Sequence, residues 1–261
     1  MKIRPLFLLL CGLLLAASSQ ADIISTIAKV KPSVVIVGTY KATNNPRFTL
    51  RGAGFVAAPG NAADSNLVIT NAHVLEQPSD KDFDAALVVQ VRLDHNQLQM
   101  RSTTVLAIDR VHDLALLRFD GPAAPTLPIG DSTAVREGQS IAFTGFPIGG
   151  VLGFSPVTHR GMVSSIVAAA MPTPAASQLN AKTIRSLRAG GTFDVFQLDA
   201  TAYPGNSGGP LFDPETGDVL GIVNMVFIKG TRESALTHPS GITYAIPSIY
   251  IQRLLQQGKP D

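Results

Sequence analysis

Ser207 lies in the stretch TAYPGNSGGPLFD, residues 201–213. A serine hydroxyl is a poor nucleophile at neutral pH. It needs a base within hydrogen-bond reach and donors aimed at the oxyanion that develops during acyl transfer. Glycines on both sides allow backbone angles that turn Ser207 outward and aim the N–H groups of Gly205 and Ser207 at one point. On its own, GNSGG also fits an ordinary glycine-rich turn. Two distant residues alter the balance. His73, in LVITNAHVL, lies just past an apolar strand at the start of a turn, and Asp113 precedes the apolar run of DRVHDLALLRF. Each is a common surface or core feature when alone. In the chain order His73, Asp113, Ser207 they match one of the convergent Ser-His-Asp arrangements, with His73 as base, Asp113 as its orienter and Ser207 as nucleophile. Asp109 is the next candidate for the orienter.

These side chains must be carried by strands. Short β-branched runs recur between turn residues: 33–40, 52–58, 66–70, 86–93 and 114–119, then 139–146, 161–168, 193–199, 218–227 and 241–246. This spacing indicates a sandwich or barrel rather than alternating βα units. The Pro- and Gly-rich segment DGPAAPTLPIGD (120–131) reads as a linker between two β halves. It falls between Asp113 and Ser207, so one half supplies base and orienter and the other the nucleophile. The expected units are 22–125 and 126–261. Helices are expected at 22–30 and at 247–257, where Ile251, Leu254 and Leu255 share a face. Residues 169–192 break the strand rhythm and read as a long insertion.

Lys2 and Arg4, an apolar run from Leu6 to Ala17 and a small-residue exit at Ala21 read as an export signal over 1–21. The run is shorter than the ~20 residues a spanning helix needs, so stable membrane insertion is not expected. The expected location is periplasmic or secreted. The lone cysteine, Cys11, lies in that leader and follows Leu10, which disfavours lipid attachment. Past the leader, 19 basic residues balance 19 acidic ones. No basic face speaks for nucleic acid, and the cluster Lys182, Arg185 and Arg188 reads as a solvated face. His95, His159 and His238 lack ligand spacing, so no metal and no cofactor is expected. His112 would point away from Asp113 along a strand, into solvent.

The segments TNAHV, HDLALL and GNSGGPL resemble the signatures of trypsin-like serine proteases, most of all the bacterial HtrA/Deg-type branch. The likeness extends to GFPIGG (145–150), RGMVSSI (160–166) and GITYAIPS (241–248), and so covers most of residues 30–250. It implies an all-β chymotrypsin-like fold of two six-stranded antiparallel barrels, and endopeptidase action on protein or peptide substrates. It also places Thr201, Val226 and Gly241 around the first specificity pocket. All three are uncharged, which implies a small or medium apolar side chain there. Two departures stand out. Only 14 residues follow Pro247, too few for the PDZ domains that HtrA proteins usually carry. Asn206 stands where digestive enzymes have an activating Asp, so no zymogen switch of that kind is expected.

Two other readings compete. GNSGG also fits the G-x-S-x-G elbow of α/β-hydrolases, but that elbow needs a helix next and Asp and His later. GGPLFDPETGD follows instead. A non-catalytic binding or chaperone-like module on the same fold is the rival from another class.

Overall fold

A computed structural model describes residues 23–60, 62–76, 84–93, 97–147, 153–169, 193–225 and 242–257. The leader, Cys11, His95, His238, the 170–192 part of the insertion with its basic cluster, Val226 and Gly241 lie outside those residues.

The expected all-β architecture of two six-stranded antiparallel barrels is present. The first consists of β1 (Val34–Tyr40), β2 (Phe48–Val56), β4 (Leu67–Asn71), β5 (Ala86–Arg92), β6 (Leu98–Asp109) and β7 (Leu114–Phe119). It closes in the order β1-β2-β4-β7-β6-β5. The second consists of β9 (Ser140–Gly145), β10 (Val157–Ala169), β11 (Phe193–Asp199), β12 (Pro210–Phe212), β13 (Val219–Asn224) and β14 (Ile242–Pro247). It closes in the order β10-β11-β14-β13-β12-β9. Strands such as VVIVGTY and VLGIVN are almost wholly buried. Unbroken β-branched runs suit a sheet covered on both faces.

Two strands had no clear sequence signal. β6 reads LQMRSTTVLAID and leaves much of its length exposed; its one continuous apolar stretch, residues 105–108, is short and partly exposed. β12 has three residues and begins with Pro210. Segment 120–131 is more than a linker. Within it, β8 (Ala124–Pro125) pairs with β3 (Asp64–Ser65). The N–H of Leu127 then donates to Val56 and that of Gly130 to Val219, so the segment is bonded to each barrel in turn.

One core spans both barrels. Ile36, Phe55 and Leu116 of the first join Phe212, Ile222 and Ile246 of the second. Each such side chain contributes about 1.5–3 kcal/mol through burial. Helix α1 (Ile23–Val30) lies against the second barrel, where Thr26 donates to the carbonyl of Glu215. A four-residue helix, α2 (Ala72–Leu75), follows β4. Helix α3 (Ser248–Gln257) buries Ile251, Leu254 and Leu255, one stripe at helical spacing. The hydroxyl of Ser132 accepts the N–H of Ile249 at 3.0 Å, satisfying a first-turn donor.

Candidate active site

The register of β4 and β7 sets Asn71 opposite Leu114, which brings the residues just after one strand beside those just before the other. His73 therefore starts its helix next to Asp113. The Asp113 carbonyl accepts the N–H of Ala72 and the side-chain amide of Asn71, each at 3.0 Å. Its carboxylate faces His73. Oδ1 accepts the His73 backbone N–H at 2.8 Å, and Oδ2 lies 2.5 Å from His73 Nδ1. A carboxylate at Nδ1 assigns the ring proton there and leaves Nε2 as the acceptor. Asp113 is buried and has φ +52, a left-handed backbone that non-glycine residues seldom adopt.

The second barrel completes this carboxylate's bonding. Asn224, fully buried at the end of β13, donates Nδ2 to Asp113 Oδ2 at 2.6 Å. Sequence reasoning did not find Asn224. Its only trace is a polar residue closing an otherwise apolar strand, VLGIVN.

The nucleophile loop is placed by its backbone. The Ala53 N–H of β2 donates to the Ser207 carbonyl at 2.8 Å, tying the loop to the first barrel. Gly52 stands between Ser207 and α2: a Cβ there would lie 2.8 Å from Ser207 O and 2.7 Å from Cγ2 of Val74, the neighbour of His73. Within the loop, the N–H groups of Asn206, Gly208 and Gly209 donate to Tyr203, Val223 and Asn206. Those of Gly205 and Ser207 have no backbone acceptor among the described residues. Gly205 has φ +103, and an added Cβ would overlap the Phe146 carbonyl oxygen. The alternation leaves the two expected oxyanion donors unengaged.

The Ser207 hydroxyl and His73 Nε2 are not hydrogen-bonded, though Ser207 and Val74, the residue after His73, both border Gly52. Such bonds are often long before substrate binds. Asn206 is fully buried, and neither polar atom of its carboxamide has a partner among the described residues. Thr201, half-buried, begins the loop; the next N–H, of Ala202, donates to Thr243 Oγ1 at 3.0 Å. His159 stacks on Phe143 at 4.9 Å, and burial holds its imidazole below the ordinary histidine value.

His112 differs from its expected placement. It lies in a turn, not on a strand, and its side chain is only 18% exposed. Its Nδ1 lies 2.6 Å from Asp109 Oδ2. Burial pushes the Asp109 carboxyl upward, but the bonds from the His112 ring and backbone outweigh it and leave the group below the ordinary value. Asp109 is thus paired with His112, whereas Asp113 faces His73.

Solved structures of the HtrA-type protease AlgW and of a serine-to-alanine variant of it, each with a tripeptide, share this fold. The alanine variant superposes with a TM-score of 0.60 at 23% identity, covering 90% of this chain and 62% of that one. A DegP-like protein of Marinomonas sp. (strain MWYL1), named a probable periplasmic serine endoprotease, is 30% identical over 210 residues, 80% of this chain and 36% of its own. The mitochondrial serine protease HTRA2 of Bos taurus is 30% identical over 240 residues, 92% of this chain and 43% of its own. The chain spans less than half the length of these two relatives. The model of the trypsin-like peptidase domain matches residues 52–222, well over half of the sequence, and the chain belongs to that family.

Proposed function

We propose that this protein is a serine endopeptidase that cleaves polypeptides through an acyl-enzyme. His73 Nε2 takes the proton of Ser207 Oγ as that oxygen bonds to the substrate carbonyl carbon. The imidazolium then gives the proton to the leaving amine as the C–N bond breaks. Water, activated by the same nitrogen, releases the acid and restores Ser207. The N–H groups of Gly205 and Ser207 hold the oxyanion, each worth about 3 kcal/mol in comparable sites. The observation that carries this reading is the set of contacts at Asp113. Its carboxylate meets the His73 amide, the His73 ring and Asn224, fixing one tautomer of a histidine beside a loop with two unengaged donors.

The relatives' names support proteins as substrates, and the DegP-like name supports a periplasmic setting; the charged start, apolar run and small-residue exit of residues 1–21 support removal of that leader on export. Uncharged Thr201, Val226 and Gly241 favour an uncharged side chain before the cleaved bond.

The test is covalent labelling by a fluorophosphonate probe together with digestion of casein. The wild type should be labelled on Ser207 and should cleave. Ser207→Ala should melt like the wild type, take no label and lose activity by about 10⁶, as loss of such a nucleophile does elsewhere. A folded wild type that neither labels nor cleaves would overturn the assignment and favour a non-catalytic binding module.

A further inference from the structure

His112 has no part in the proposed chemistry, yet it is held from several sides. Its ring stacks on Tyr250 of α3, with centroids 3.9 Å apart and planes 18° apart. Phe193 of β11 meets it edge-on at 4.7 Å. Phe193 and Tyr250 pack against each other at 5.5 Å, closing a cluster of three rings. Aromatic pairs of this kind are stabilising beyond the area they bury. His112 belongs to the first barrel, while both partners come from the second half of the chain.

The same residue is bonded into the turn before Asp113. Asp109 Oδ1 accepts the N–H groups of Val111 and His112 at 3.0 and 3.1 Å, while Oδ2 binds the His112 ring. The next residue is Asp113 in its left-handed conformation. That conformation is unfavourable for a residue with a Cβ, and it persists where surroundings impose it. The charged groups around the cluster are Asp109, Arg253 over the Tyr250 ring at 5.4 Å, and Asp194 beside Tyr250.

We infer that His112 is a positioning residue for Asp113: its ring, stacked on Tyr250 and met edge-on by Phe193, locks the turn that aims the Asp113 carboxylate at His73. The second barrel and α3 thereby set the geometry of a His–Asp pair that lies wholly in the first barrel. Loss of the ring cluster frees the turn, and the 2.5 Å contact between Asp113 Oδ2 and His73 Nδ1 lengthens.

This rests on the proposed protease reading only for its kinetic readout, so the test uses a second one that needs no activity. A proton in so short a contact is strongly deshielded, so the His73 Nδ1–H resonance reports the contact directly. In His112→Ala that resonance should move upfield, and kcat on a peptide substrate should fall about 10- to 100-fold with KM within about twofold, as ~1 Å misplacement of a catalytic group does. His112→Phe keeps the three rings and should recover most of both. Tyr250→Ala combined with His112→Ala should be no worse than His112→Ala alone, because the two act through one cluster. Should His112→Ala fail to fold, Tyr250→Leu carries the same two readouts. An unmoved resonance in a folded cluster variant, a His112→Phe as impaired as His112→Ala, or additive losses would overturn the inference. If the resonance responds but the wild type never labels with a fluorophosphonate, the protease reading fails and the positioning role stands.

Discussion

Asp113 and Ser207 are both buried, yet they are held in place differently. The Asp113 carboxylate accepts three N–H groups and its carbonyl two more, from β4, α2 and β13. Among the described residues the Ser207 hydroxyl makes no hydrogen bond, and the carboxamide of Asn206 beside it is unpaired. That loop is fixed by backbone contacts that only glycine tolerates. An added Cβ would overlap Phe146 O at Gly205, Ala53 O at Gly208 and Thr144 O at Gly209. Substitution should therefore fail differently on the two sides. On the base side it should change chemistry while the fold survives. On the nucleophile side, backbone changes should damage the fold, and side-chain changes should not unless they bury a charge.

Short of removing the nucleophile itself, the largest effect tests the base side. Asp113→Asn puts an amide where His73 and Asn224 both donate, so the imidazole is forced toward the wrong tautomer. With the fold intact, kcat should fall by about 10⁴. Comparison of circular dichroism with steady-state kinetics checks this. A loss below tenfold would remove Asp113 as the orienter and would break the contrast, since its bonds would then serve only the fold.

A smaller loss of activity, joined to a larger loss of stability, is expected at Gly205. Gly205→Ala places a Cβ at φ +103 against the Phe146 carbonyl. Such strain costs of the order of 1–3 kcal/mol, before any overlap is relieved. Urea unfolding should show at least that deficit. Activity should drop by about 10²–10³ as the oxyanion donor turns away. Unchanged stability would mean that the loop moves freely and is not held by close approach.

Those two sides were not equally legible in the sequence. The strands that read as unbroken β-branched runs, and the stripe of α3, follow from periodicity because burial imposes it. β6 carries Arg101, Ser102, Thr103 and Thr104 before a short apolar stretch and faces solvent along much of its length, so it shows no strand-long pattern. β12 is too short to show any period. His73, Asp113 and Ser207 stand out because each lies in a local motif. Asn224 and the ring cluster around His112 do not, because they depend on how β13, β11 and α3 dock against the first barrel. A pairing 111 residues apart in the chain, as between Asn224 and Asp113, leaves no local pattern. His112 shows the cost of local reasoning: alternation along a strand pointed it to solvent, but the turn bonded by Asp109 places its ring against Phe193 and Tyr250.

The smallest effect gives the sharpest reading of the nucleophile side. Asn206 is fully buried with no partner for Oδ1 or Nδ2 among the described residues. An unsatisfied buried polar group costs about 1–3 kcal/mol, and an apolar group of the same shape removes that cost. Leucine repeats the fork of asparagine at Cγ, so Asn206→Leu tests the amide without creating a cavity. Its stability in urea should match or exceed the wild type by up to about 1 kcal/mol. Asn206→Asp should do the reverse, because an unpaired carboxylate is buried far less readily than an amide. Destabilisation of Asn206→Leu by more than about 2 kcal/mol would mean that the carboxamide is bonded in solution. The nucleophile loop would then be pinned by side-chain polarity, as Asp113 is, and the difference between the two halves of the site would vanish.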